Sequence, residues 1–231
     1  MSKNSPKDLK VRTLSAIVMI AVAGSALWAG GWVFTAFVAI VAAGLLWEWR
    51  GLISKFNHGA LGRVLWMLGG VVYIGGGSIA LYGYRSATPQ HFLGGIVPML
   101  ILLSIAVDVA AYLSGRIFGG PKIAPHISPS KTWAGLIGAV IGAILVATDY
   151  VYFQVAQNNN MTLSLSIYSI LVGSVLAVVA QAGDFFESWM KRRAEVKDSG
   201  HMIPGHGGLL DRLDGLLAVM FVMFCLHVVD L

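Results

Sequence analysis

The chain has 231 residues, of which 57% are hydrophobic and 12% are charged, and its formal net charge at pH 7 is +5. Soluble globular domains carry about 25% charged residues, so this composition excludes that class and indicates an integral membrane protein. The single cysteine, Cys225, excludes a disulfide framework and a cysteine-based metal site.

Seven apolar segments are long enough to cross a membrane as helices, since a span needs about 20 residues. They lie at about 13–29, 32–49, 64–83, 92–113, 133–153, 164–189 and 214–230. The first follows positive residues, as in a secretory signal peptide, but it is as long as a full span and no clear processing site follows it. We therefore expect an all-α, polytopic bundle of seven transmembrane helices that forms one integral-membrane domain over residues 1–231.

The distribution of lysine and arginine predicts the orientation of these helices, because cytoplasmic loops are enriched in both residues. Fifteen of the sixteen fall on one side if the N-terminus is cytoplasmic, and only Arg85 falls outside. This predicts an external C-terminus and cytoplasmic loops at 114–132 and 190–213. Topology explains most of the positive charge, and no basic stripe interleaved with aromatics occurs on one element, so we do not expect a nucleic-acid partner.

The cytoplasmic end of the fourth segment carries the sequence DVAAYLSGRIFG, from Asp108 to Gly119. Asp108 and Arg116 are eight residues apart, which places them two turns along one helix face. They could pair with each other or with a neighbouring charge at the membrane surface, or they could face a ligand. The sequence leaves both readings open.

The loop that follows is rich in proline and glycine and contains Ser128, Lys131 and Thr132 ahead of the fifth segment. Hydroxyls, backbone amides and an ammonium group before a helix start suit a phosphate. The loop has no GxxxxGK[ST] motif and is not a Walker loop. Helix capping and membrane topology would also explain these residues.

The stretch from Asp184 to Asp214 holds eleven of the 27 charged residues, six acids and five bases. On a helix, Asp184, Glu187, Ser188 and Lys191 share one face at the end of the sixth segment. A glycine-rich segment with His201 and His206 follows. No cysteine lies near these histidines, so a zinc site is disfavoured.

Asp211 and Asp214 lie one helical turn apart at the start of the last segment. Together with Asp184 across the loop they resemble an oxygen-ligand site for a hard cation, and Mg²⁺ suits a few carboxylates plus substrate phosphates. Each acid taken singly could instead cap a helix, and the bases could form a stop-transfer cluster. The whole set exceeds what capping and topology require.

These residues carry a resemblance to the CDP-diacylglycerol synthases, also called phosphatidate cytidylyltransferases. The downstream signature consists of Asp184, Ser188, Lys191, Arg192, Lys197, Asp198, Ser199, Gly200, Pro204, Gly205, His206, Gly207, Gly208, Asp211, Arg212 and Asp214. The upstream block consists of Asp108, Ala111, Tyr112, Gly115, Arg116, Phe118, Gly119, Pro125, Ile127, Ser128, Pro129, Lys131, Thr132 and Gly135. A weaker feature is Trp47, Glu48 and Trp49. Members of the family are usually longer, so we expect residues 1–107 to form a shortened set of spans ahead of a catalytic half at 108–231.

The resemblance implies the reaction of CTP with phosphatidate to give CDP-diacylglycerol and pyrophosphate. It implies Mg²⁺ as the cofactor and leaves the presence of a second cation open. It implies that Asp184, Asp211 and Asp214 hold the metal. Phosphate oxygens would be neutralised by Lys191, Arg192, Lys197 and Arg212. Substrate contacts would come from Asp108, Arg116, Ser128, Lys131, Thr132, Arg192 and the loop residue His206.

The reaction also implies a location, because CTP is cytosolic and phosphatidate is a membrane lipid. We expect a multi-pass protein of the bacterial cytoplasmic membrane whose active site faces the cytoplasm. The alternatives are a CTP-dependent polyprenol kinase, a cytidylyltransferase for another lipid, and an ion-coupled transporter using Asp108 and Asp184. The transporter is disfavoured because the charges gather at one surface rather than at the bilayer midplane. The sequence leaves a homodimer open.

Overall fold

The computed structural model describes residues 6–57, 59–87, 95–156 and 163–229. Within these ranges the chain forms seven helices and one antiparallel hairpin of two short strands. In chain order the elements are α1 (Pro6–Ala29), α2 (Gly31–Ile53), α3 (Ala60–Ala87), α4 (Ile96–Ile117), β1 (Lys122–Ala124), β2 (Ser128–Thr132), α5 (Trp133–Ala156), α6 (Leu163–Arg193) and α7 (Leu210–Val229). The predicted all-α class and the predicted number of spans are confirmed.

Each helix contains a segment of 20 to 28 residues that is apolar and long enough to cross a membrane. Most helices extend beyond the predicted segments, because hydropathy marks the part that crosses the bilayer and backbone hydrogen bonding continues into polar residues. The connections between helices are therefore shorter than the predicted loops at 114–132 and 190–213, and they comprise residues 118–132 and 194–209. Lys191 and Asp211 lie on helical turns. Residues 92–94 and 230 of the predicted segments lie outside the described residues.

The hairpin of β1 and β2 was not anticipated in the proline-rich loop, whose sequence lacks the alternation that predicts strands. Lys122 pairs with Thr132 and Ala124 with Ser128. The second strand leads directly into α5, where the Gly135 amide donates to Thr132 Oγ1 at 3.0 Å. Thr132 thus caps the first turn of α5, as one of the two sequence readings predicted.

Small residues allow α4 and α5 to pack closely, as is usual between membrane helices. A methyl group on Gly142 would lie 3.0 Å from the Ala106 carbonyl oxygen, and one on Gly138 would overlap Ser114. The helix α6 packs against α5 on one side and α7 on the other, and α3 also packs against α7. The charged ends of α4, α6 and α7 are thereby brought near one another.

Aromatic side chains join α2 and α3 to the end of α6. Trp49 lies 6.3 Å from Trp66, which lies 5.8 Å from Trp189, measured between ring centroids. The Trp49 indole donates to the Trp66 carbonyl at 2.9 Å, which satisfies its buried N–H. This cluster holds the amino-terminal helices against the charged end of α6.

The contact between α6 and α7 depends on Gly183. A methyl group there would lie 2.5 Å from both the Asp214 carbonyl oxygen and the Ala218 Cβ. Real side chains do not approach that closely, so only glycine permits this helix separation. Asp184 on α6 and Asp214 on α7 lie at this contact, so the separation of the two helices also sets the distance between these two acids.

We expect Gly183→Ala to lower the free energy of unfolding by about 1–3 kcal/mol, the usual cost of overpacking. Unfolding of the purified protein in detergent, followed by tryptophan fluorescence, measures this change. The matched control is Gly69→Ala, because a methyl group at Gly69 meets no atom within 4 Å. Equal stability of the two variants would contradict the close packing of α6 on α7.

Candidate functional site

A polar cavity of about 640 Å³ opens between the ends of α4, α5, α6 and α7, with β2 forming part of its wall. Its charged lining residues are Asp108, Arg116, Lys131, Asp184, Lys191, Asp198, Asp211, Arg212 and Asp214. Five are carboxylates and four are cations. The structure thus brings together charged residues from both sequence blocks that lie far apart along the chain.

Three carboxylates converge in or beside this cavity. One oxygen from each of Asp184, Glu187 and Asp214 lies within 4.8 Å of the other two. Asp184 and Glu187 are one turn apart on α6, and Asp214 reaches them from α7 because the helices touch at Gly183. Three carboxylate oxygens from two helices could hold a divalent cation.

The structure therefore joins two of the three predicted metal ligands, Asp184 and Asp214, and adds Glu187 to them. Sequence reasoning placed Glu187 on the same face but did not assign it to the metal. The spacing of Asp184 and Glu187 could have indicated this role, because residues three apart on a helix are neighbours.

Asp211 lies in the cavity wall but has a different set of contacts. Its Oδ2 accepts hydrogen bonds from the Ser199 amide at 2.9 Å, the Ser199 hydroxyl at 3.0 Å and the Gly208 amide at 2.8 Å. Its Oδ1 accepts from Lys191 Nζ at 2.6 Å. Asp211 thus ties the 194–209 loop to α7 and to the end of α6.

Two lysines neutralise the carboxylates around the cavity. Lys131 Nζ lies 2.5 Å from Asp184 Oδ2, and it also lies over the Phe185 ring at 4.3 Å. Lys191 forms ion pairs with both Glu187 and Asp211. Buried charges are tolerated only when they are paired and hydrogen-bonded, so these ion pairs offset part of the free-energy cost of burying Asp184, Glu187 and Asp211.

Glu48 on α2 anchors the same loop from the amino-terminal half of the chain. Its carboxylate is buried and accepts hydrogen bonds from the Leu209 and Leu210 amides, both at 2.8 Å, and it shares the one hydroxyl hydrogen of Ser199 with Asp211, each acceptor lying 3.0 Å from that hydroxyl. A negative charge at the first turn of α7 satisfies its free amides and its dipole. A methyl group on Gly200 would overlap Glu48, so the loop approaches it closely.

Sequence reasoning gave Glu48 only as part of a weak family feature. The signal that could have identified it is its position, since a carboxylate inside an apolar span is costly and is a functional candidate by default. Its partners could not be inferred, because they lie 151 to 162 residues away along the chain.

Several other predicted site residues line the cavity. Thr132 lines it while capping α5. Arg116 donates to the Tyr112 hydroxyl at 2.6 Å, and both line the wall formed by α4 together with Asp108. Arg212 donates two hydrogen bonds to the His206 carbonyl, at 2.8 and 3.2 Å.

Four predicted residues lie outside this lining. Ser128 is buried in β2, and Ser130 takes its place in the wall. Arg192 donates to the Ile127 carbonyl at 3.3 Å, which ties α6 to the hairpin. Lys197 and His206 line a second, neighbouring cavity.

A sequence profile of the cytidylyltransferase family matches residues 63–229. The chain belongs to the cytidylyltransferase family. The match includes the hairpin, the 194–209 loop and the acidic cluster, whereas Glu48 lies ahead of it.

Individual members of this family are similar to nearly the whole chain. A phosphatidate cytidylyltransferase of Rickettsia bellii is 33% identical over 229 residues, which cover 98% of this chain and 94% of that protein. One from Rickettsia typhi is 32% identical, covering 96% and 93%. One from Brucella suis is 32% identical, covering 94% and 92%. The prediction that residues 1–107 form a shorter set of spans than in longer cytidylyltransferases stays a prediction.

We expect Glu48→Gln to lower the free energy of unfolding of this cytidylyltransferase by about 1–3 kcal/mol, because an amide cannot satisfy three donors at once. Chemical denaturation of the purified protein in detergent measures the loss. The matched control is Glu195→Gln, which changes an exposed acid in the same loop. If both variants were as stable as the unaltered protein, Glu48 would not anchor the loop.

Proposed function

We propose that the protein transfers CMP from CTP to phosphatidate and releases CDP-diacylglycerol and pyrophosphate. The observation that carries this proposal is the cavity at the ends of membrane-spanning helices, where a three-carboxylate cluster lies beside paired lysines. The similarity to phosphatidate cytidylyltransferases supports the choice of substrates.

In this reaction a phosphate oxygen of phosphatidate forms a bond to the α-phosphorus of CTP. The bond from that phosphorus to the bridging oxygen of the β-phosphate breaks, and its electron pair leaves with pyrophosphate. The attacking oxygen is already ionised near neutral pH, so no general base is needed. The protein must therefore position the two phosphates and stabilise charge on their oxygens.

Asp184, Glu187 and Asp214 are the residues that would hold Mg²⁺, and their three convergent oxygens fit a cation that prefers oxygen ligands. When bound, the metal supplies positive charge to the phosphoryl oxygens. The described residues contain one such cluster, which supports one cation, and a second cation stays a prediction.

The cations in the cavity wall have a complementary role. Lys131, Lys191, Arg116 and Arg212 face the same space as the acids. Phosphate oxygens that enter this space meet ammonium and guanidinium donors, and arginine can bind them in a bidentate manner. The hairpin contributes Lys131, so its unexpected strands serve to direct one cation toward α6.

We place this cavity at the cytoplasmic face of a bacterial inner membrane. The distribution of lysine and arginine supports this orientation, and the similar proteins from Rickettsia and Brucella are bacterial. In that position CTP enters from the cytosol, while phosphatidate reaches the cavity from the bilayer with its acyl chains still in lipid.

Incubation of the purified protein with phosphatidate, Mg²⁺ and CTP labelled at the α-phosphate tests the reaction. We expect label in the lipid product and release of pyrophosphate in equal amounts. A parallel reaction uses CTP labelled at the γ-phosphate, and label that enters lipid there but not from the α-phosphate would indicate a kinase and contradict the proposal. An ion flux in liposomes without CTP would indicate the transporter.

We expect Asp184→Asn and Asp214→Asn to raise the Mg²⁺ concentration for half-maximal activity by about 10- to 100-fold, because each removes a metal-binding charge. Titration of activity with Mg²⁺ at saturating CTP measures the shift. Asp149→Asn is the matched control, since Asp149 is an exposed carboxylate on α5 away from the cavity.

The same titration distinguishes Glu187 from Asp211 as the third ligand. We expect Glu187→Gln to raise the Mg²⁺ requirement as the two aspartate variants do. Asp211→Asn should mainly destabilise the 194–209 loop, because Asp211 holds three loop donors. If only Asp211→Asn shifted the Mg²⁺ titration, the metal would be held by the triad that the sequence predicted.

A further inference from the structure

A second polar cavity, of about 650 Å³, lies beside the first and is open to solvent. Its charged and imidazole-bearing lining residues are Arg12, Lys197, Asp198, His201, His206 and Arg212. Asp198 and Arg212 also line the first cavity, so the two spaces share a wall.

The two cavities differ in charge. The first has more carboxylates than cations, and its two lysines are already paired with acids. The second has three cations against the single carboxylate of Asp198. Lys131 and Lys191, which form ion pairs with acids of the first cavity and its border, do not line the second. The second cavity therefore favours an anion.

The helix α1 completes this cavity. Ser15 and the His206 ring are 2.8 Å apart, between the Ser15 hydroxyl and Nδ1, which fixes α1 against the 194–209 loop. A methyl group on Gly205 would lie 2.9 Å from Arg12 Cγ, so this glycine lets the arginine lie against the loop. Gly205 has a φ of 77°, a conformation that also favours glycine.

We propose that the second cavity binds the pyrophosphate that leaves the catalytic cavity, with Arg12 and His201 as ligands alongside the cations of the loop and α7. This inference rests on the proposed function, which generates pyrophosphate. Arg212 borders both spaces and binds a backbone carbonyl rather than a carboxylate, so its guanidinium keeps donors for a phosphate. The open, exposed lining suits a product that must be released to the cytosol.

The test measures the pyrophosphate concentration that halves the rate of CDP-diacylglycerol formation at fixed CTP and Mg²⁺. We expect Arg12→Gln and His201→Gln each to raise this concentration about three- to tenfold, the loss of one exposed charge-assisted or polar contact. The KM for phosphatidate should stay unchanged. Arg50→Gln is the matched control, because Arg50 is an exposed arginine at the end of α2 outside both cavities.

Calorimetry separates this proposal from the proposed function. Sodium pyrophosphate is titrated into the purified full chain in detergent with EDTA, so neither turnover nor a metal contributes to binding. Binding that Arg12→Gln or His201→Gln weakens supports the site even if no liponucleotide were formed. Binding that neither variant changes, or no binding at all, would overturn it.

A lipid headgroup carries the same phosphate chemistry, and a further arm distinguishes it. The calorimetric titration is repeated in mixed micelles that contain phosphatidylglycerol. Pyrophosphate binding that persists in these micelles supports the proposal. The contradicting result is a loss of pyrophosphate binding by the unaltered protein in these micelles that does not occur with the Arg12→Gln variant. The cavity would then be a lipid site, and the assignment to pyrophosphate would be wrong.

Discussion

The architecture depends on the cost of holding charge near lipid. Carboxylates and ammonium groups are tolerated near lipid only when they are paired or hydrogen-bonded, and the ends of α6 and α7 satisfy this condition largely through Lys131 and Lys191. The same pairing concentrates oxygen ligands and phosphate donors in one cavity. Stability and the proposed chemistry therefore make the same demand on these residues, since removing one partner leaves an uncompensated charge beside the cavity that we propose binds the substrates.

Pairing alone would not fix the positions of the acids. The absence of a side chain at Gly183 sets the separation of α6 and α7, and Glu48 fixes the start of α7 by accepting hydrogen bonds from its first amides. Asp211 holds the same loop through the Ser199 and Gly208 amides. Two carboxylates thus act as structural anchors, so the carboxylates of the cluster do not also have to hold the loop.

The sequence was sufficient for the seven helices, because each apolar segment has the length that a bilayer requires. It also predicted that Asp184 and Asp214 lie close together, and the structure brings their carboxylate oxygens into one cluster. It assigned Asp211 rather than Glu187 to the metal, although both lie one turn from a cluster member, because spacing does not show which carboxylate the 194–209 loop engages. The hairpin and the partners of Glu48 arise from contacts between distant segments, which local patterns do not encode.

The arrangement of charge also bears on the direction of reaction. Nucleotidyl transfer brings a metal, a triphosphate and a lipid phosphate together, and it leaves pyrophosphate beside the same acids. The carboxylates that attract a cation to this cavity also repel a departing anion. A neighbouring basic cavity that shares Arg212 with the first offers the anion a favourable place to move to. The acidic first cavity and the basic second cavity are separated by one shared wall. A cation site and an anion site could therefore lie side by side without neutralising each other.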